Sequence, residues 1–330
     1  MPLFQLNIKL CFNQLRKLHA SALLLASAAL PVVSTAMGLM VDLATPNCGT
    51  TLAAQAEPPL AAAQRLAGSK VTQGQRDIAW AWLGSPTARY PHTALGSRFH
   101  AGSLHVLLAR SAGNASPPVE VVYQLPFNRV FEDLLVRLVD LDRDGRDEVI
   151  VIEADALRGA SVTVLGLAGS GNAQTLVELA RSPPAGSTFR WLNPVGVADF
   201  DGDGKLDVAA VITPHIGGEL TLYHYRPPML VPYAKATDTS NHLMGAPEQR
   251  LSVVIQKLDA RPTVIVPDMT LRALHALRWE GNGSTGKFKE LADVTALPAR
   301  IERITLVPDA PGSACILLAD ATWRRVTLLH

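Results

Sequence analysis

Two nonapeptides constrain this chain more than any other part of it: Asp140-Leu-Asp-Arg-Asp-Gly-Arg-Asp-Glu148 and Asp199-Phe-Asp-Gly-Asp-Gly-Lys-Leu-Asp207. Each carries a carboxylate at its first, third, fifth and ninth residues and a glycine at its sixth. Four carboxylates packed into one tight loop repel one another strongly at neutral pH unless a cation lies between them. A hard cation such as Ca²⁺ takes about 6 to 8 oxygens at about 2.3–2.6 Å, and a main-chain carbonyl at the seventh position adds to the side-chain set. Gly145 and Gly204 permit the backbone reversal that such a loop needs.

The flanks separate two ways of building the loop. A helix-loop-helix calcium site ends in a bidentate Glu at its twelfth residue, and here that residue is Val151 or Ala210. Residues 136–139 enter the first loop and 149–152 leave it, both rich in Val, Leu and Ile. Residues 195–198 and 208–212 flank the second in the same way. Runs of β-branched residues at this length predict strands, so each site is expected between two strands.

The loops mark a longer repeat. After each one a strand leads through a polar turn into another: 148–152 into 161–165, and 207–211 into 220–224. The same hairpin is expected at 77–81 with 103–107, 263–268 with 273–277, and 315–320 with 325–329. The strand starts at 77, 148, 207, 263 and 315 lie 71, 59, 56 and 52 residues apart, a loose period close to that of a four-stranded propeller blade. Aromatics at 5%, with 24 Gly and 23 Pro, suit short strands and turns better than long helices. An all-β fold is therefore expected, a β-propeller of five four-stranded blades, with six or seven as alternatives. In the other three copies the acid pattern has decayed, and no tight ion is expected there. A strand from about residues 57–70 is expected to complete the last blade beside the carboxy-terminal unit.

These loops, set between apolar strands at blade spacing, resemble the FG-GAP/VCBS repeats of the integrin α-chain propeller and of exported bacterial proteins. The likeness is strong over residues 133–225. It implies two calcium sites: Asp140, Asp142, Asp144, the Arg146 carbonyl and Glu148, then Asp199, Asp201, Asp203, the Lys205 carbonyl and Asp207. Glu148 departs from the commoner Asp at the last position.

The amino terminus has a different character. Lys9, Arg16 and Lys17 precede a nearly uncharged apolar run from about residue 20 to 41, the layout of an export signal. The alternatives are a membrane anchor over residues 20–41, interrupted by Pro31, and a mitochondrial presequence. Small residues precede both Met37 and Glu57, and the second cut is preferred, giving residues 1–56 as leader or anchor plus disordered linker and 57–330 as a single propeller domain. That cut would leave Cys315 as the sole cysteine, expected as a buried thiol in an apolar strand. The product is expected in the periplasm or outside the cell, and membrane contact is expected only if the leader stays attached.

Thirty basic and 29 acidic residues leave a net charge of +1, which provides no field for nucleic acid or an anionic membrane. Phosphate-gripping, nucleophile-elbow and paired-cysteine zinc motifs are absent from the sequence. The face opposite the acid loops is expected to collect Arg89, His92, Asn128, Glu132, Arg190, Trp191, Asn193, His215, Asn241 and His242 from hairpin tips and blade entries. Most of these suit turn capping or a polar channel, and His92, His215 and His242 form a candidate imidazole metal site. A binding module for a protein or glycan is the leading expectation. The alternative is a carbohydrate-active hydrolase or lyase, for which Glu132, Asp133 and Glu248 are a thin supply of acids.

Overall fold

The computed structural model describes residues 38–43, 48, 57–109, 118–257, 260–307 and 309–329. Residues 36–330 form one compact unit. Its first elements are strand β1 (Leu39–Leu43) and a short helix, α1 (Pro59–Gln64). Antiparallel four-stranded meanders follow in sequence. The first is β2 (Thr72–Gln73), β3 (Ile78–Thr87), β4 (His100–Leu108) and β5 (Glu120–Gln124). After the short bridging strand β6 (Arg129–Phe131), the second is β7 (Arg137–Val139), β8 (Glu148–Asp155), β9 (Gly159–Ala168) and β10 (Thr175–Arg181). The third is β11 (Leu192–Ala198), β12 (Asp207–Ile212), β13 (Glu219–Arg226) and β14 (Met229–Thr237). The fourth is β15 (Val253–Ile255), β16 (Thr263–Pro267), β17 (Ala273–Asn282) and β18 (Thr285–Glu290), with β19 (Thr295–Ala296) on β17.

The fifth meander, β20 (Ile301–Leu306), β21 (Ser313–Leu318) and β22 (Trp323–Leu328), takes its fourth strand from the other end of the chain. β1 runs antiparallel to β22 from Leu39 opposite Leu328 to Leu43 opposite Arg324. Leu39 and Val41 face the core of the fifth meander, while Met40 and Asp42 are exposed. That is the period-2 alternation of a half-buried strand. The closing strand expected over residues 57–70 is thus corrected to 39–43, ahead of the domain boundary placed at 57. Residues 57–66 have another use: prolines at 58 and 59 followed by Ala61-Ala62-Ala63 favour a helical turn, and Ala61 packs against Trp82 and Leu107.

Cys315 is corrected too. It is 3% exposed in the middle of β21 and is bonded to Cys48, 267 residues away, with the Cα atoms 5.6 Å apart. The remainder of the expected leader and linker, 1–37, 44–47 and 49–56, lies outside the described residues.

Every residue of β8, and all but the last of β9, is buried, which explains their unbroken runs of apolar residues. One apolar cluster joins the first three meanders, a second joins the third and fourth around Phe200 and Trp279, and a third joins the fourth and fifth. Each meander therefore buries its faces against its neighbours, as repeat architectures must.

Candidate metal loops and a histidine-lined loop face

Both acid loops join the first strand of a meander to the second. In the first, between β7 and β8, Asp140 Oδ2 accepts from Gly145 N at 3.1 Å, and Asp142 Oδ1 from Asp144 N at 3.2 Å. Asp144 Oδ1 accepts from Arg146 N at 2.8 Å, and Glu148 Oε2 from Leu141 N at 2.7 Å. Arg143 and Gly145 take positive φ values, 63° and 90°, to make the reversal. The second loop, between β11 and β12, repeats the pattern. Asp199 Oδ2 accepts from Gly204 N at 2.9 Å and Oδ1 from Gly202 N at 2.7 Å, while Asp203 Oδ1 accepts from Lys205 N at 2.8 Å. Backbone N–H groups fold the carboxylates inward, and the carboxylates fix the turn in return.

Carboxylate oxygens of Asp140, Asp142 and Glu148 lie within 4.8 Å of one another, as do those of Asp199, Asp201 and Asp203. Each set could hold a metal ion. Asp140 Oδ1 and Asp201 Oδ2 are buried with no hydrogen-bond partner among the described residues, the state of an oxygen left for a cation. The donor sets are all oxygen, which suits a hard ion such as Ca²⁺ or Mg²⁺. Burial and the neighbouring acids push the Glu148 carboxyl up to about 7 when no cation is present.

The ninth positions differ between the loops. Glu148 stays with its ligand set, whereas Asp207 lies outside the second one: its Oδ2 accepts from Tyr233 Oη at 2.8 Å and its Oδ1 meets His224 Nδ1 at 3.1 Å. Burial raises the Asp207 carboxyl to about 6. Neither partner could be foreseen from the loop, since both project from later strands, β13 and β14. The first loop also has a brace from outside. Asp77, at the start of the first meander's second strand, accepts from Arg146 Nε at 2.9 Å and Asp147 N at 2.8 Å. Arg76 reaches Asp147 at 3.0 Å and Asp140 at 3.4 Å.

At the opposite end of the strands, the connections interlock. The long β3–β4 connection, residues 88–99, supplies Arg89, whose guanidinium donates to the carbonyls of Arg129 and Pro126. It also supplies Tyr90, whose hydroxyl accepts from Phe189 N, and Ala94, whose carbonyl accepts from Gly245 N at 2.8 Å. Asn128 donates to Asp155 at 3.2 Å, and the carbonyl of Arg190 accepts from Ala160 N at 2.8 Å. Asn193 and Asn241 are fully buried and exchange hydrogen bonds with each other's carbonyls, with Gln249 alongside. These residues are structural fasteners between blade entries. Asp133 is another, accepting from three backbone N–H groups and from Arg137. Glu248 is held by Arg250 and Arg303, each at 2.8 Å.

The histidines sort into two groups. His215 Nε2 lies 2.8 Å from His242 Nδ1, and both rings pack on Trp191, His215 parallel to the indole and His242 edge-on at 4.6 Å. Burial depresses His215 to about 4 and His242, also facing His215, to about 3, so both are neutral at pH 7. His92 stands apart, stacked on Phe189 with its Nδ1 2.6 Å from Glu132 Oε1. That contact is off the line of a hydrogen bond, and both oxygens of Glu132, 0% exposed, are left without a donor among the described residues. Trp191 Nε1 donates to the Glu132 carbonyl at 3.0 Å, tying the two groups together. The expected three-histidine metal site is not formed: the metal-capable clusters among the described residues are the two acid loops. The connections at this end also carry exposed apolar tips, Phe99, Phe127, Leu157, Phe189, Ile216 and Met244, with Phe127 at 83% and Leu157 at 80% exposure. The sequence reading looked for polar groups here and passed over these tips.

One further constellation was missed. Ser103 Oγ lies 2.7 Å from His105 Nε2, and His105 Nδ1 lies 2.8 Å from Glu120 Oε1. This is the order of a serine hydrolase relay, on adjacent same-face positions of β4. Ser103 is 0% exposed, however, and its hydroxyl bonds Ser85 Oγ at 2.8 Å. The geometry leaves no approach for a substrate carbonyl and fits a satisfied buried network.

Residues 140–210, beginning at the first carboxylate of the first loop and taking in the whole of the second, match the family model described as an FG-GAP-like repeat. No curated protein matches the sequence.

Proposed function

We propose that this chain, which carries an FG-GAP-like repeat over residues 140–210, is a calcium-stabilised β-propeller that binds a partner on the face opposite its acid loops, in the cell envelope or outside the cell. The five meanders read as five blades, with Ca²⁺ bound at Asp140, Asp142 and Glu148 and at Asp199, Asp201 and Asp203. Bound calcium would neutralise the converging carboxylates and lock the turns, leaving binding to the other end.

The observation that carries the binding reading is the set of exposed apolar tips on the connections at the end of the strands opposite the acid loops. Large apolar side chains exposed on one face of interlocked loops mark an interaction site. A protein partner is favoured over a glycan. Sugars stack on exposed Trp and Tyr faces, and here Trp191 and Tyr90 are buried at 2% and 3% exposure, while the exposed tips are Phe, Leu, Ile and Met. The acids do not support glycoside cleavage, because Asp133 and Glu248 are committed to structural bonds and Glu132 is sealed from solvent.

The test has two arms. Calorimetry with Ca²⁺ is expected to give two sites with dissociation constants of roughly 10⁻³–10⁻⁶ M, both lost in an Asp140→Ala, Asp199→Ala variant. In the second arm, immobilised wild type and a Phe127→Asp, Leu157→Asp, Ile216→Asp variant are offered envelope proteins and a glycan array. Retention of a defined protein by the wild type alone supports the reading. Equal behaviour of the two forms overturns it, and retention of a glycan alone replaces the protein partner with a sugar.

A further inference from the structure

Strand β1 and Cys48 lie between the two places where an export leader could be cut, before Met37 and before Glu57, and the fold distinguishes them. We propose that the leader is removed between Ala36 and Met37, so that the mature chain keeps β1 and fastens it with the Cys48–Cys315 disulfide outside the cytoplasm. This rests on the reading that the chain is exported.

A cut after Ala56 discards all five residues paired with β22. It would strip Leu39 and Val41 from the core of the fifth meander, leave β22 as an open edge beside an apolar interior, and leave Cys315 without its partner. A cut after Ala36 removes none of this. It falls two residues before Gly38, whose carbonyl already accepts from Leu329 N at 2.7 Å. The sequence there has what a leader peptidase reads: an apolar stretch from about residue 20 to 30, Pro31 to end any helix, and small side chains at Ser34 and Ala36.

An uncleaved anchor would have to end by residue 38. A span takes about 20 apolar residues, and a span over 20–41 would need residues 39–41 in the bilayer and in the sheet at once. The cysteines agree with the upstream cut. It removes Cys11 with the leader and leaves Cys48 and Cys315, whose disulfide persists only in an oxidising compartment.

The experiment expresses the full chain with its own leader in a bacterial host and reads the purified product by amino-terminal sequencing and by intact mass after thiol alkylation, with and without reduction. The expected product begins at Met37 and takes up no alkylating agent until reduced, when it takes up two equivalents. Ala36→Arg is expected to block processing, and Ala56→Arg to leave the Met37 terminus unchanged. A product that begins at Glu57 with one free thiol overturns this inference and leaves export standing. A product that keeps Met1 overturns this inference, and one that also takes up three equivalents of alkylating agent without reduction overturns export too. A reducing agent is expected to lower the melting temperature of the wild type by about 5 °C or more, and that of a Cys48→Ser variant not at all. An unchanged wild-type melt overturns the fastening role.

Discussion

The two ends of the same strands solve the problem of buried titratable groups in opposite ways. At the acid-loop end, carboxylates are drawn together by backbone N–H groups, and Asp140 Oδ1 and Asp201 Oδ2 are left without hydrogen-bond partners among the described residues. At the histidine end, His215 and His242 sink against Trp191 and are held neutral. One end could accept charge from outside, as a metal ion, and the other is damaged by charge. The strands between them need not change for either.

Removing calcium is expected to have the largest effect. Two sites saturated at about 100 times their dissociation constants would together contribute about 5 kcal/mol, so chelation should lower the melting temperature by roughly 10–20 °C. The Asp140→Ala, Asp199→Ala variant should melt at the chelated temperature with or without calcium, and loop-face variants should keep the full calcium response. An equal calcium response in both variants would break the division between the ends.

Acid should act on the other end. His215 and His242 have folded values below the ordinary 6.5, so the unfolded chain binds protons first. Their contribution is complete above about pH 6.5 and is lost as pH falls toward about 4. Allowing for partial solvent exposure, about 2 kcal/mol should disappear over that window. His92 acts electrostatically on His215 and Glu248 on His242, and the Trp191 ring packs on both, so the difference between wild type and a His215→Gln, His242→Gln variant isolates the pair's share. Denaturant unfolding at pH 7 and pH 5 in saturating calcium provides the comparison, and the variant should lose less on acidification.

Smaller changes sharpen the contrast between the two acid loops. Asp77→Asn removes the carboxylate that holds Arg146 and Asp147 and should weaken the first calcium site about fivefold, the equivalent of about 1 kcal/mol, without touching the second. Tyr233→Phe should act on the second alone. Freed of the hydroxyl, Asp207 can turn toward the ion, and calorimetry should record a tightening of about twofold.

What could be read from the sequence follows the range over which each feature is determined. The acid loops were legible because the carboxylates and glycine that make each turn lie within nine residues, and the five hairpins because β-branched runs and polar turns are local. The diversion of Asp207 was hidden because His224 and Tyr233 come from strands whose register no spacing reveals. The same holds for the loop face: Trp191, His215 and His242 belong to separate connections, and only the stacking of meanders brings them together. Residues 57–70 were misread because an apolar, Ala-rich stretch before the first repeat fits a missing strand, while the true one lies nearer the leader and pairs with the last residues of the chain.

That pairing makes the fifth meander depend on two segments far apart in the sequence, Leu39–Leu43 and Trp323–Leu328. During synthesis Leu39–Leu43 must stay unpaired until Trp323–Leu328 have been made, because β22 is the strand they join. Four meanders can assemble as they emerge, but the fifth cannot. A copy truncated before Trp323 would strand an apolar segment at its front and a reactive thiol near it. Such a product would be recognisable as unfinished to any protease that met it, so the borrowed strand doubles as a check that β22 has been made.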